Sequence, residues 1–512
     1  MDRTNKVIRN MKWGIVQRFV AIILPFVVRT ILIYSLSAKY AGLSGLFSSI
    51  LSILSLAELG VSNAIVFGMY KPIADDDKEK VCALLYVYRR AYFFIGTAIF
   101  LFGVIMLPFL RFMIYGDIPD DINIYLLFSV YLFNTVISYF LFGYKTCILT
   151  VNQRQDVLSK ISIISRIILQ VFQCIILLVF RNYYLYVIVI PLFTIIENIL
   201  NSYWVSKLYP EYVPYGKLSD EDYIDLKKRV MGLLIWKIGG TTRNTFDSIV
   251  ISMYIGLVTV AIYNNYWLII SAVNSFLGII SSSMLASVGN KVALDTPEAN
   301  YKDFHKFHFI YMWIAGWCTI CMACLYQPFM KQWLGDDLMF SVGIMLLFCF
   351  LFFTMKQSDI NSVYYQASGL WWEGRWRSVI EAISNLTLNV LLGKFFGVTG
   401  ILLATIISCY IAYFYGSRFT FIGCFKNDKL KLFYLDNLIY MVITTVVGAI
   451  TYFITRGLFL IIHIAFLRSI LALLICIVVP NVLFLLVYSS KKKTKDYIGY
   501  GWDMLKQAVV KI

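Results

Sequence analysis

Charge is scarce in this chain. Only 14% of its 512 residues are Asp, Glu, Lys or Arg, against about a quarter in a soluble domain, which excludes an ordinary water-soluble globule. Histidine is scarcer still, at three residues, so a hydrolytic triad lacks its base. No GxxxxGK[ST] phosphate loop occurs, which argues against direct ATP drive within the chain. The ten cysteines include none in an expected outer loop, so no disulfide framework is implied. Cys318, Cys321 and Cys324 have cluster-like spacing, but they lie inside an apolar run where small buried side chains are the expected reading. Mass outside the membrane is lacking too. Every loop assigned to the outer face has about a dozen residues or fewer, which leaves no catalytic domain there, and the chain is not expected to be an enzyme.

What the chain has instead is length in apolar runs. It is 60% hydrophobic, with a mean hydropathy of +0.75. A spanning helix needs about 20 mostly apolar residues, and in lipid its backbone must satisfy its own hydrogen bonds. The runs are continuous rather than alternating, which excludes barrel strands. The expected fold class is therefore all-α and polytopic, with about 14 transmembrane helices near 13–38, 44–69, 91–113, 122–148, 157–180, 183–206, 230–255, 258–288, 307–328, 339–368, 376–395, 398–416, 432–455 and 460–488. Arg181-Asn182 and Gly256-Leu257 leave room only for tight antiparallel turns.

The net charge of +16 comes from basic residues dispersed in short loops. Anchoring beside anionic headgroups accounts for them, and nucleic acid is not an expected partner. One side holds about 33 of the 45 Lys and Arg, whereas the other holds Lys39, Arg111, Arg181, Lys331, Lys394 and Arg456. That asymmetry predicts a multi-pass membrane protein with both termini cytoplasmic. The basic start, Met1 to Lys12, shows no cleavable signal. Trp502, Leu505, Val509 and Ile512 share one face of an expected interfacial tail helix. Asp75-Asp76-Asp77 with Glu79 reads as a solvated helix start rather than a metal site, and His305 with His308 as interfacial residues.

A gap-free repeat is visible. Arg29, Tyr40, Gly42 and Leu43 recur 214 residues later as Arg243, Tyr254, Gly256 and Leu257. It predicts two six-helix bundles in parallel pseudo-repeat plus a carboxyl-terminal helix pair. The expected segments are 1–206, the first bundle; 207–229, a cytoplasmic linker; 230–416, the second bundle; 417–488, helices thirteen and fourteen; and 489–512, a basic interfacial tail.

Charges inside spans are the candidate site. An Arg at a helix centre costs about 2.5–3.5 kcal/mol on insertion scales, so each needs a partner, water or a ligand. Arg18 and Arg29 share one face of span one, and Lys237 and Arg243 lie on span seven. Arg29 and Arg243 stand about 16 Å before the outer ends of their helices, close to mid-bilayer. Paired guanidinium groups suit an anion such as a phosphate. Arg243 with Asp247 and Lys356 with Asp359 have helical pair spacing, and either pair could simply neutralise itself. Glu58, Glu197 and Glu381 are acids without an obvious local partner. Arg18, Arg29, Lys237, Arg243 and Lys356 are thus the expected substrate-binding residues, and Glu58, Asp247, Asp359 and Glu197 the residues for ion coupling or ion pairs. No metal site and no cofactor are expected.

The sequence resembles the Wzx-type polysaccharide flippases of the multidrug/oligosaccharidyl-lipid/polysaccharide exporter superfamily. The likeness lies in KYAGLSGLFSSILSILSLAELG (Lys39 to Gly60) after Arg29-Thr30, in AIVFGMYKPIADDDKEKV (Ala64 to Val81), around Glu381 and Asn385, and in FGVTGILLATIIS (Phe396 to Ser408). The resemblance implies two six-helix bundles in a V-shaped alternating-access carrier, often with two extra helices. Its implied cargo is an oligosaccharide on undecaprenyl pyrophosphate, moved to the outer leaflet of a bacterial inner membrane for lipopolysaccharide or capsule synthesis. Membrane lipids, and a glycan polymerase with other assembly proteins, are the implied partners. The resemblance leaves open coupling to a proton or sodium gradient. Two rivals stay in view, a drug or cation antiporter of the same superfamily and a membrane polysaccharide polymerase. Basic spans one and seven weigh against the first, and short outer loops against the second.

Overall fold

The computed structural model describes residues 3–370, 373–426, 429–461, 464–490 and 494–501; the side chains of 3–8, 57, 59, 236–244, 286, 459–461 and 465–466 lie outside the description. No strand occurs among the described residues. The helices are α1 (Arg3–Ser35), α2 (Ala38–Leu54), α3 (Leu56–Ala74), α4 (Lys78–Met106), α5 (Ile124–Phe140), α6 (Thr146–Val151), α7 (Gln155–Ile175), α8 (Tyr183–Leu208), α9 (Asp220–Tyr254) and α10 (Leu257–Leu294). They continue as α11 (Pro297–Leu334), α12 (Val342–Gln357), α13 (Asp359–Ala367), α14 (Trp376–Thr420), α15 (Leu430–Ile461) and α16 (Ala465–Ser489).

Local chemistry sets the helix ends. Asp77 caps α4 by accepting from the Lys80 N–H at 2.9 Å, so the acidic run is a helix start, as expected. Asn182 caps α8 by accepting from Leu185 N–H at 3.0 Å, directly after Arg181 at φ 47°, and this closes the tight turn. Gly256, at φ 121°, makes the other expected turn, a conformation that favours glycine. The first hairpin turns earlier than the sequence suggested. Its bend lies at residues 36–37, and Lys39 to Leu43 already belong to α2.

Among the described residues, ten helices are long and apolar enough to cross a membrane, or eleven if the bent pair Ile124–Phe140 and Gly143–Val151 is one span. The chain is a multi-pass membrane protein. The expected count of about fourteen is larger for physical reasons. Its second span is split at Ser55, and α9 opens on Asp220, Glu221 and Asp222. α14 is two arms around Gly397 at φ 57°, and they fold back until Asn385 reaches Thr405 at 3.0 Å. The outer faces are apolar: Phe94, Leu101 and Phe102 on α4 and Val171, Phe172 and Ile175 on α7 are all exposed, as lipid-facing side chains should be.

Contacts divide the chain into two compact units, Met1–Asn264 and Asn265–Ile512. In the first, α3 lies along α9 and α4, α1 along α7, α5 along α8, and α2 against α9. In the second, α11 packs on α12, α15 and α16, and α12 packs on α14. The core of the second unit is aromatic, with Phe309, Tyr440, Phe484, Tyr488 and Tyr497 buried together.

Candidate functional site

The acids inside spans have partners, and most of those partners are tyrosines. Glu58 sits in the first turn of α3, just past the break at Ser55. Its two carboxylate oxygens accept from Tyr92 Oη at 2.8 Å and Tyr139 Oη at 2.6 Å, while Tyr88 Oη donates onward to Tyr92 Oη at 2.9 Å. Asp247 is fully buried on α9 and accepts from Tyr263 Oη at 2.5 Å. Asp359 opens α13 and accepts from Lys356 Nζ at 2.6 Å and from the Tyr311 hydroxyl. The Lys356–Asp359 pair straddles the helix break at Ser358, with Lys356 buried. Glu197, half-buried on α8, has Ser162 and Arg166 of α7 as its polar neighbours. Glu58 and Glu197, which lack an obvious local partner in sequence, thus find theirs across helices. Helical spacing could reveal only partners on the same helix, and these come from other helices.

The basic residues are less evenly placed. Arg29 is half-buried on α1, and its Nη2 donates to the Ala261 carbonyl oxygen of α10 at 3.1 Å. Arg18, on the same helix, is exposed. Lys237 and Arg243 lie in α9, but their side chains are outside the described residues, as are Trp371, Trp372 and the tail from Trp502. Within the first unit, Gly42 of α2 presses on the backbone of Leu257, so two residues of the sequence repeat, Gly42 and Leu257, are in contact.

Glu381 and Asn385 belong to a buried polar cluster between the arms of α14. Asn385 Nδ2 donates to Thr405 Oγ1 at 3.0 Å, and Asn389 Nδ2 to Asn385 Oδ1 at 3.2 Å. His305 and His308 are not solvated at an interface. Both are buried: His305 lies 3.4 Å from Asp436, and His308 stacks on Phe304 with Nε2 3.0 Å from Asn437 Oδ1. The α15 residues packed along α11 exclude water there. Trp313 and Trp317 donate to Asn481 and to the Cys476 carbonyl oxygen, so they pack rather than line open space.

No family model matches the chain, and no curated protein matches it in sequence. Solved structures do match in three dimensions. A lipid II flippase, MurJ, in an inward closed conformation superposes with a TM-score of 0.67 at 15% identity, over 94% of this chain and 99% of its own. The chain shares that structure's fold. An inward-facing multidrug resistance MATE transporter of the MOP superfamily matches with a TM-score of 0.62 at 14% identity, over 79% of this chain and 97% of its own. A point mutant of the Vibrio cholerae MATE transporter VcmN matches at 0.54 and 11% identity, over 81% and 97%. In this chain the spans break at Ser55 and Ser358, beside Glu58 and Asp359, and interrupted helices are where transporters commonly build their sites.

Proposed function

We propose that this protein is a Wzx-type flippase. It carries an undecaprenyl-pyrophosphate-linked oligosaccharide repeat unit from the cytoplasmic to the outer leaflet of a bacterial inner membrane by alternating access, for lipopolysaccharide or capsule synthesis. The observation that carries this reading is a fold match over nearly the full length of a protein named as a lipid flippase. Charge supports it. In sequence, spans one and seven carry Arg18, Arg29, Lys237 and Arg243 against Asp247 alone. An anionic cargo suits that balance, and a cationic drug does not. Arg29 and Arg243 bind the cargo's pyrophosphate or acidic sugars, with Arg18, Lys237 and Lys356 adding positive potential. Glu58, Asp247, Asp359 and Glu197 serve coupling or charge balance. Fourteen crossings accommodate the split second span and the folded α14, with both termini cytoplasmic, in two six-helix bundles (1–206 and 230–416) and a helix pair (417–488). Delivered units pass to a glycan polymerase.

Depletion should leave finished lipid-linked oligosaccharide on the cytoplasmic leaflet, with the surface glycan missing. Units found outside but unpolymerised would refute the flippase. Arg29→Ala should abolish most transport at unchanged protein level, with partial rescue by Lys. A transport-competent double neutralisation of Arg243 and Asp247 would show that Arg243 only balances its neighbour. A drug antiporter is favoured by one observation, the MATE matches; efflux of a cationic dye that depends on Glu58 would support it instead.

A further inference from the structure

The fourth expected span is interrupted. α5 ends at Phe140, the axis bends by 50°, and the chain resumes through a tight 3₁₀ turn at Gly143–Lys145 into α6. Phe142 lies in the break at φ 57°. A left-handed conformation is strained for an aromatic residue, and such strain gathers at binding sites. Glycine at 143 is also required, because a Cβ there would stand 2.5 Å from the Ser138 carbonyl oxygen.

The break directs Lys145 onto α8. Its Nζ donates to Ser202 Oγ at 3.0 Å and Ser206 Oγ at 3.3 Å, and it lies 5.1 Å from the centre of the Phe142 ring. Two of its three N–H donors are used, and one is left. α4 packs against the Gly143–Lys145 turn, and its Arg89 is the charged neighbour of Lys145, a second cation. Neither makes an ion pair among the described residues, so an exposed Arg89 and a half-buried Lys145 are neighbouring cations with no acid paired to them. A polar seam leads to Lys145 along α8, one helical turn per step: Thr194 donates to Asn134 at 2.8 Å, Asn198 to Ser138 at 3.2 Å, and then Lys145 meets Ser202. Ser202 and Ser206 are about 9 and 3 Å from the end of α8, the level at which lipid phosphates lie.

We propose that Lys145, Arg89, Ser202 and Ser206 form a phosphate-binding site at the break in the fourth span. Lys145 supplies its remaining N–H, Arg89 a guanidinium fork, and the serines their hydroxyl protons. A doubly charged phosphate balances the two cations. It arrives on a membrane lipid or free in water, and the site is independent of the cargo assigned above.

The test uses purified full-length protein. Retention of phosphatidic acid, whose phosphate monoester carries the second charge, is read by native mass spectrometry, and inorganic pyrophosphate is titrated against thermal unfolding at matched ionic strength with chloride as control. Wild type should retain the lipid or be stabilised by pyrophosphate; the first outcome assigns a lipid phosphate and the second a free one. Arg89→Gln, an exposed change that leaves packing alone, and Lys145→Gln should each weaken binding about tenfold, whereas Lys145→Arg should keep it. Should Lys145→Gln fail to fold, Arg89→Gln decides. Equal binding by wild type and Arg89→Gln, or no binding of either probe by wild type, overturns the proposal.

Discussion

Gly42→Ala is the sharpest test of how the first unit is packed. The Cβ it adds would stand 2.0 Å from the Leu257 carbonyl oxygen, 2.7 Å from its carbonyl carbon and 3.1 Å from its Cα. All three are backbone atoms, so no side chain can turn aside. A carbon meets a carbonyl oxygen comfortably at about 3.3 Å, and α2 would have to draw back from the start of α10 by roughly 1.3 Å. Overpacking of this kind costs about 1–3 kcal/mol. A glycine in an open helix behaves in the opposite way, since Ala there gains about 0.5–1 kcal/mol from helix propensity. Gly232 in α9 and Gly278 in α10 have nothing within 4 Å of a built Cβ and supply that comparison. Thermal unfolding of the three purified variants in one detergent should therefore split in sign. Gly42→Ala should melt lower than wild type by a few degrees, and Gly232→Ala and Gly278→Ala at the same temperature or higher. If Gly42→Ala melts with the controls, the close approach of α2 to Leu257 is wrong.

Further outcomes follow from the same geometry. Lys356→Met strands the Asp359 carboxylate and should cost about 3–5 kcal/mol in unfolding, while adding Asp359→Leu should return most of it; equal losses in the single and double variants would remove the pair. Tyr139→Phe deletes a hydrogen bond to a carboxylate and should cost about 1.5–3 kcal/mol, against little for the exposed Tyr125→Phe. Single cysteines at Lys39, Arg181, Lys331 and Lys394 should react with an impermeant maleimide in intact cells after competing native cysteines are removed. Protection at Lys331 with labelling near Lys217 would invert the topology.

Much of the fold was legible because lipid removes choices. An apolar run must be a helix, and Asn182 after Arg181, or a glycine at 256, can only be a turn. Breaks were not legible at Ser55 and Phe142, because the apolar pattern runs through them, and at Ser358 the short polar run from Lys356 to Ser362 was absorbed into the tenth expected span. The buried histidines were misplaced for a related reason. Their sequence position marks the start of a span, but α11 extends well before it to Pro297, and α15 covers its side.

The candidate site shows where sequence reasoning stopped short. Pairing was sought between opposite charges at helical spacing, and it found Lys356 with Asp359. It could not find Tyr92 and Tyr139 on Glu58, Tyr263 on Asp247, or Tyr311 on Asp359, because those contacts join residues 16 to 81 positions apart through tertiary packing. Yet the signal was present in bulk: the chain has 36 tyrosines and only 29 acids. A phenol is a sound partner for a carboxylate in this setting, since its ring is at home in an apolar helix and its O–H donates one strong bond without adding a second charge to desolvate.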